Sequence, residues 1–142
     1  MQNSIPPSGE HHQSGERKKS VPIVITLVRG TRIWPWEPIE AEWTGHKSPL
    51  NVQLRSELDC EVRNFPWSGK NRILTRLTAS EELVPFLEAG LSQYPSATHV
   101  VIAHSHGGNV AGYALRASAQ EGRIAGLLCL ATPFLHVSVV SM

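Results

Sequence analysis

Short apolar runs that alternate with helical segments are the feature that most constrains the fold of this sequence. Residues 21–28 are nearly continuous in β-branched and aliphatic side chains and end before Gly30, which is typical of a strand buried on both faces of a parallel sheet. Similar runs predict strands at residues 60–67, 99–103 and 124–131. Strands joined by helices favour right-handed crossovers, so the expected fold is α/β, a parallel β-sheet of about four strands with helices on both faces.

Three helices are predicted between these strands. The first spans residues 50–58, and the third spans residues 107–120. The second begins at a cap on Asn71 and carries an apolar stripe at helical spacing. Pro85 lies inside that stripe, so a kink or a break is expected near Glu81.

The first twenty residues predict a disordered leader. Met1 and Ile5 are the only strongly apolar side chains in residues 1–20, which is too little apolar surface to offset the entropy of ordering. Residues 21–142 are expected to form one partial domain. The leader does not resemble a secretory signal, and no apolar run reaches the ~18–20 residues of a membrane span, so a cytoplasmic location is expected.

Composition excludes several classes of function. Thirteen Lys and Arg against twelve Asp and Glu give a net charge of +1, which argues against a nucleic-acid binder. Two cysteines, Cys60 and Cys129, do not suggest a disulfide framework, and both are predicted to be buried free thiols. Gly107 and Gly108 open a predicted helix, but no P-loop lysine follows them, so a nucleotide site is disfavoured and no cofactor is expected.

The third predicted strand runs directly into the sequence Ala-His-Ser-His-Gly-Gly-Asn, residues 103–109. A serine between a strand and a helix sits on a sharp turn, which needs small residues two positions before and after it; these are Ala103 and Gly107. The helix N-terminus offers free N–H groups and a partial positive charge. Such a turn favours Ser105 as a nucleophile beside a developing oxyanion.

This motif resembles the nucleophile elbow of the α/β-hydrolase fold, especially lipase- and esterase-like members with a His-Ser-x-Gly-Gly core. The resemblance extends to the segments at residues 28–31, 65–69 and 130–134, and so covers about residues 21 to 135. It implies a sheet order of second, first, third and fourth strand. It also implies a small-molecule ester or lipid substrate and an acyl-serine intermediate.

The same resemblance assigns roles to individual residues. Ser105 is the nucleophile, and the backbone N–H of His106 is one oxyanion donor. The backbone of Gly30 or Thr31 supplies the second donor. Arg29 stands where such enzymes often carry His, and it is expected to be a surface residue rather than a cation beside the cleft.

The rest of a catalytic triad is harder to find. In this fold an acid and then a His follow the serine. After Ser105 the sequence has no Asp, one Glu and two His, which are Glu121, His106 and His136. Glu121 is expected at the far end of the elbow helix and His106 on the elbow itself, which leaves His136 as a remote candidate base. The simplest interpretation is that the acid and the His belong to strands that this chain lacks.

Three functions therefore stay open: a serine hydrolase that is incomplete in this chain, a non-catalytic truncated remnant, and a small acyl- or anion-binding module. His104 is expected to pack rather than to react, and the His-x-His pair lacks further ligands, so no metal is expected. Trp34, Trp36 and Trp43 either line a substrate pocket or pack a long loop. The strand at residues 124–131 has a bare apolar edge, which predicts self-association.

Overall fold

Four parallel strands and three helices account for the regular structure in the computed structural model, which describes residues 21–32, 34, 36, 43–117 and 122–134. In chain order the elements are β1 (Ile23–Val28), α1 (Pro49–Glu57), β2 (Cys60–Phe65), α2 (Ile73–Gln93), β3 (Thr98–His104), α3 (Gly107–Ala117) and β4 (Ile124–Leu130). The predicted leader at residues 1–20 lies outside the described residues, so the predicted domain limits stay a prediction.

The strands form one sheet in the order β2-β1-β3-β4, which confirms the α/β class and the order implied by the resemblance. β1 pairs in parallel with both β2 and β3, and β3 pairs in parallel with β4. Val28 lies opposite Phe65 and Ala103, and His104 lies opposite Leu130. The carboxyl ends of all four strands therefore meet at one edge of the sheet, where ligands bind in folds of this kind.

Helices cover both faces of the sheet. The larger apolar cluster joins the strands to α2 and α3 and consists of Val28, Phe65, Trp67, Ala79, Leu83, Leu87, Val101, Ala103, Val110, Ala111 and Ala114. On the other face Ile25, Leu27 and Val62 pack against Trp43 and against Leu54 of α1. Neighbouring residues of β1 thus face different clusters, as the continuous apolar run predicted.

Of the kink or break predicted near Glu81, the break is wrong, because α2 runs without interruption from Ile73 to Gln93 with Pro85 inside it, and the kink stays a prediction. An internal proline costs about 3 kcal/mol. Leu83 and Leu87 lie on either side of Pro85 and both are buried in the larger cluster. Burial of this stripe offsets the lost hydrogen bond. The predicted cap at Asn71 is also wrong, since the N-cap is Arg72 and no side chain caps the helix.

The two outer strands differ in how their edges are covered. At β2 the Arg55 guanidinium of α1 donates a hydrogen bond to the Val62 carbonyl at 2.9 Å, so a side chain occupies one backbone acceptor of that strand. β4 pairs only with β3 among the described strands, and Leu128 and Leu130 are exposed.

The two cysteines are free and only half-buried, which corrects the expectation that both are fully buried.

Within the described residues, every helix is too short or too polar to cross a bilayer.

The buried stripe of α2 predicts a sharp contrast between two leucines of that helix. Leu83 is 0% exposed and Leu74 is 77% exposed. We expect Leu83→Ala to lower the free energy of unfolding by about 2–5 kcal/mol, because it opens a cavity in the core. Leu74→Ala should change it by less than about 0.5 kcal/mol. Urea unfolding followed by circular dichroism measures both, and equal losses would contradict the assigned packing.

Candidate active site

Ser105 lies on a tight turn between β3 and α3. Its backbone φ of 51° lies in the left-handed region, which residues other than glycine rarely adopt. The Ser105 N–H donates to the Leu130 carbonyl at 2.8 Å, and the Gly108 N–H donates to the Ser105 carbonyl at 3.0 Å. Strain of this kind persists only where surrounding contacts fix the backbone. The predicted strand–turn–helix around the serine is therefore present.

Small residues around the turn are required by close backbone approaches. A Cβ on Gly107 would overlap the carbonyl oxygens at the end of β1, and a Cβ on Gly108 would overlap the Thr132 side chain. Ala103, two residues before the serine, is 0% exposed. Alanine fits there, so its replacement of the usual glycine leaves the turn intact.

The loop after β1 touches the turn. A Cβ built on Gly30 would lie 2.8 Å from the Ser105 Cβ and 3.0 Å from the His104 carbonyl oxygen. Only glycine allows the two chain segments to come this close. Thr31 follows and is half-buried. No described carbonyl accepts a hydrogen bond from the His106 N–H. The structure thus brings Gly30 and the start of α3 to the same serine.

The loop after β2 holds the loop after β1 in place. The Trp67 indole N–H donates to the Arg29 carbonyl at 2.9 Å, and the Arg32 N–H donates to the Gly69 carbonyl at 2.8 Å. Arg29 is only 4% exposed, which corrects the expected surface position. β1 is an interior strand, so neighbouring loops cover the residue just beyond its end. The Arg29 Nε donates to the Gly30 carbonyl at 3.3 Å.

The His106 ring is held by Asn109, away from a role as base. The Asn109 Nδ2 donates to the Pro133 carbonyl at 3.1 Å and lies 3.2 Å from the His106 Nδ1. A carbonyl can only accept, so this contact fixes the amide with its nitrogen toward both partners. His106 Nδ1 is therefore the acceptor, and its proton is on Nε2.

Burial lowers the pKa of His106 below its ordinary value of 6.5, and the positive charge of Arg76 lowers it further. Arg76 lies in α2, is 7% exposed and donates from Nη1 to the Asn71 Oδ1 at 2.8 Å. No pattern in the sequence indicates this neighbour, because the interaction joins α2 to the turn before α3, and these segments are far apart in the chain.

The three tryptophans of the first loop divide into two kinds. Trp43 packs edge-on against His104, with ring centroids 5.7 Å apart, so His104 packs as predicted. Trp34 and Trp36 stack on each other at 5.2 Å and are 54% and 76% exposed. This exposure corrects the alternative in which all three tryptophans pack the core of the loop.

Thr132 lies just beyond β4, where the Thr132-Pro133 sequence predicts the end of that strand. Its Oγ1 is buried beside Gly108 and has no hydrogen-bond partner among the described residues. The preceding Ala131 has a φ of 50°, so the chain turns sharply where β4 ends.

The described residues do not complete a triad. The Ser105 hydroxyl makes no hydrogen bond to His104 or His106, and neither ring bonds a carboxylate within the described part of the chain. Those residues also contain no group of three or more His, Cys, Asp or Glu side chains that could hold a metal. Glu121 and His136 lie outside the described residues. A cavity of about 640 Å³, lined in part by Cys60 and Tyr94, lies at the amino ends of the strands, away from the serine.

Comparison with known proteins finds a likeness in structure but none in sequence. No family model matches the sequence, and no curated protein matches it. The structure resembles that of a cutinase-like protein from Cryptococcus sp., with a TM-score of 0.53 and 16% sequence identity. The match covers 78% of this chain and 54% of that chain, so this chain spans about half the length of its neighbour. The likeness shows a common α/β-hydrolase-type fold.

The environment of His106 predicts its titration. Because burial and Arg76 both disfavour the imidazolium, we expect the ring to titrate below pH 6.5 and to be neutral at pH 7. Proton NMR of the ring should show this directly. Arg76→Gln should move the midpoint upward, and a His106 midpoint above 6.5 in the unaltered protein would contradict the assigned environment.

Proposed function

We propose that this protein is a serine hydrolase of the esterase type and that Ser105 is its nucleophile. The observation that carries the proposal is the strained φ of Ser105, 51°, on a strand-to-helix turn that touches Gly30. A serine in that conformation presents its hydroxyl at the carboxyl edge of the sheet. The fold shared with a cutinase-like protein supports an ester as the substrate class.

The proposed reaction proceeds through an acyl-enzyme. The Ser105 Oγ attacks the ester carbonyl carbon while its proton passes to a base, and the carbonyl oxygen becomes an oxyanion. The backbone N–H of His106 and that of Gly30 or Thr31 are the proposed donors to this oxyanion. Collapse of the intermediate expels the alcohol, which takes the proton. Water then hydrolyses the acyl-serine and releases a carboxylate.

The base for this reaction has to come from outside the described residues. His106 Nδ1 is engaged by Asn109, and the His104 ring packs against Trp43. His136 is the candidate within this sequence. If no base reaches Ser105, the same turn is left as a binding site for an acyl or anionic group, which is the second candidate function.

A fluorophosphonate probe tests the nucleophile. We expect the folded protein to be labelled covalently and Ser105→Ala to lose the label completely, as measured by intact-protein mass spectrometry. Ser68→Ala is the matched control, because Ser68 is an exposed serine at the same end of the sheet. It should keep the label.

Two outcomes separate the candidate functions. Labelling at Ser105 that His136→Ala slows at least about tenfold identifies the base. Folded protein that stays unlabelled contradicts the proposed nucleophile and favours the binding module.

We further propose that β4 is a site of self-association. Its outer edge, which pairs with no other described strand, has the apolar sequence Ile-Ala-Gly-Leu-Leu-Cys-Leu, without a charge that would repel a second copy. Two copies of one edge strand can pair symmetrically, each residue meeting its counterpart.

Sedimentation velocity over a range of concentrations tests this interface. We expect the unaltered protein to show a dimer and Leu128→Lys to shift it toward the monomer, because an edge lysine disfavours strand pairing. Val52→Lys on α1 is the matched control, since Val52 is 55% exposed and Leu128 is 52% exposed. A monomer at every concentration, or equal effects of the two variants, would exclude pairing through β4.

A further inference from the structure

The side chain of His106 presents an N–H that no described protein group accepts. Its Nδ1 receives the hydrogen bond from Asn109, so the ring proton is on Nε2. Among the described residues no acceptor bonds to Nε2, and this atom is not fully buried. Because His106 directly follows Ser105 in the turn, the ring offers a ligand a neutral donor beside the proposed nucleophile.

Arg76 carries a buried positive charge that no carboxylate of the described residues neutralises. Its side chain is 7% exposed, and its guanidinium donates from Nη1 to the neutral amide oxygen of Asn71 at 2.8 Å. A buried charge is costly unless a group of opposite charge pairs with it. The first turn of α2 contains no acidic residue, and no side chain caps that helix. The surroundings of Arg76 therefore favour an anion.

The packing of α2 against α3 brings Arg76 close to the serine turn. Arg76, Ala79 and Leu83 are spaced three and four residues apart and are all buried, so they lie on one face of α2. Ala79 and Leu83 belong to the same apolar cluster as Val110 of α3. Arg76 lies one turn before Ala79, at the end of the molecule where both helices begin. There its positive charge contributes to the lowered pKa of the His106 ring.

An acidic side chain outside the described residues would be a competing partner for Arg76. The described segments at this end of the molecule contain no Asp or Glu; they are residues 28–32, 65–80, 103–117 and 122–134. The loop after β1 carries Glu37, Glu40 and Glu42, which lie outside the described residues. Removal of these three carboxylates is therefore part of the test.

We infer that His106 and Arg76 form a subsite for a carboxylate of the substrate. The inference rests on the proposed function, because Ser105 is the group that attacks the ester. The Nε2–H of His106 donates to a carboxylate oxygen, and the positive charge of Arg76 attracts the same group. Burial of Arg76 strengthens this attraction, because water and salt screen a buried charge less than an exposed one.

The subsite selects a class of ester. Because the donor belongs to the residue after the nucleophile, the carboxylate has to be close to the carbonyl carbon that Ser105 attacks. A monoester of a short dicarboxylic acid meets this requirement, since one carboxyl group is esterified and the other is free. Attack on the esterified group expels the alcohol and forms an acyl-serine, and water then releases the dicarboxylate. The free carboxylate stays in the subsite and takes no part in bond making.

Binding to the subsite can be measured without catalysis in Ser105→Ala. Monomethyl glutarate is the probe, and dimethyl glutarate, which lacks the charge, is the matched control ligand. We expect the monoester to shift the His106 ring signals in NMR with saturation, and to raise the midpoint of the ring titration, because a bound anion favours the imidazolium. The diester should bind at least about tenfold more weakly.

A matched pair of charge changes locates the subsite. Arg76→Gln should weaken binding of the monoester at least about tenfold, whereas Arg116→Gln, an equal charge change at an exposed position in the last turn of α3, should not. Arg76→Lys keeps the charge and should bind the monoester more tightly than Arg76→Gln does. Urea unfolding of each variant verifies that it is folded.

Hydrolysis by the protein with Ser105 intact tests the selectivity. Monomethyl glutarate and methyl valerate have the same leaving group and the same acyl chain length, and differ in the free carboxylate. We expect a higher kcat/KM for the charged ester, measured by release of methanol. Arg76→Gln should lower the ratio of the two kcat/KM values at least about tenfold, chiefly through KM, and Arg116→Gln should leave the ratio unchanged.

Three results would overturn the inference. The first is equal binding of the monoester and the diester to Ser105→Ala. The second is equal weakening by Arg76→Gln and Arg116→Gln. The third concerns the acidic loop: if a change to Gln at one of the three glutamates lowers the His106 midpoint as far as Arg76→Gln raises it, a carboxylate of the chain itself occupies the subsite.

Failure of the subsite and failure of the nucleophile give different results. Fluorophosphonate labelling at Ser105 together with equal binding of the two esters removes the subsite and leaves the nucleophile in place. Selective binding of the monoester by a folded protein that stays unlabelled supports the subsite and contradicts the nucleophile.

Discussion

The close approach of α3 to the end of β1 is the constraint on which the site depends. Gly107 has no side chain, so the helix begins directly against the carbonyl oxygens of the central strand. That approach leaves no room for a gradual turn between β3 and α3, and Ser105 takes up the left-handed backbone that results. Gly30 then fits against the serine from the other side. A methyl group at either glycine would push these segments apart and change the geometry of the turn.

The sequence predicted the sheet well because its information is local. Four apolar runs separated by helical stripes specify parallel strands, and the elbow motif identified the point where β3 meets α3. The prediction for α2 failed because Pro85 is a local signal, whereas the burial of Leu83 and Leu87 against the sheet is a property of the tertiary structure. The free energy gained by burying these leucines exceeds the cost of the internal proline, so α2 continues through Pro85.

The candidate site likewise has residues that the sequence predicts and others that only the tertiary structure reveals. Ser105 and Gly107 could be identified from spacing, since the turn needs those residue types at those positions, and Gly30 followed from the resemblance to the α/β-hydrolase fold. The burial of Arg29 and the proximity of Arg76 to His106 could not, because each depends on which loops and helices meet in space. A cationic side chain in a sequence does not indicate whether it will face solvent or cover the end of an interior strand.

The hydrogen bond from the Ser105 N–H to the Leu130 carbonyl has a mechanical consequence. It attaches the strained turn to the last residue of the outer strand, and the Asn109 bond to the Pro133 carbonyl adds a second attachment just beyond that strand. Local opening of β4 would release both attachments at once and let Ser105 relax to an ordinary backbone conformation. A segment that paired with the outer edge of β4 would therefore also hold Ser105 in its strained conformation, so strand addition and the geometry of the turn would be thermodynamically linked.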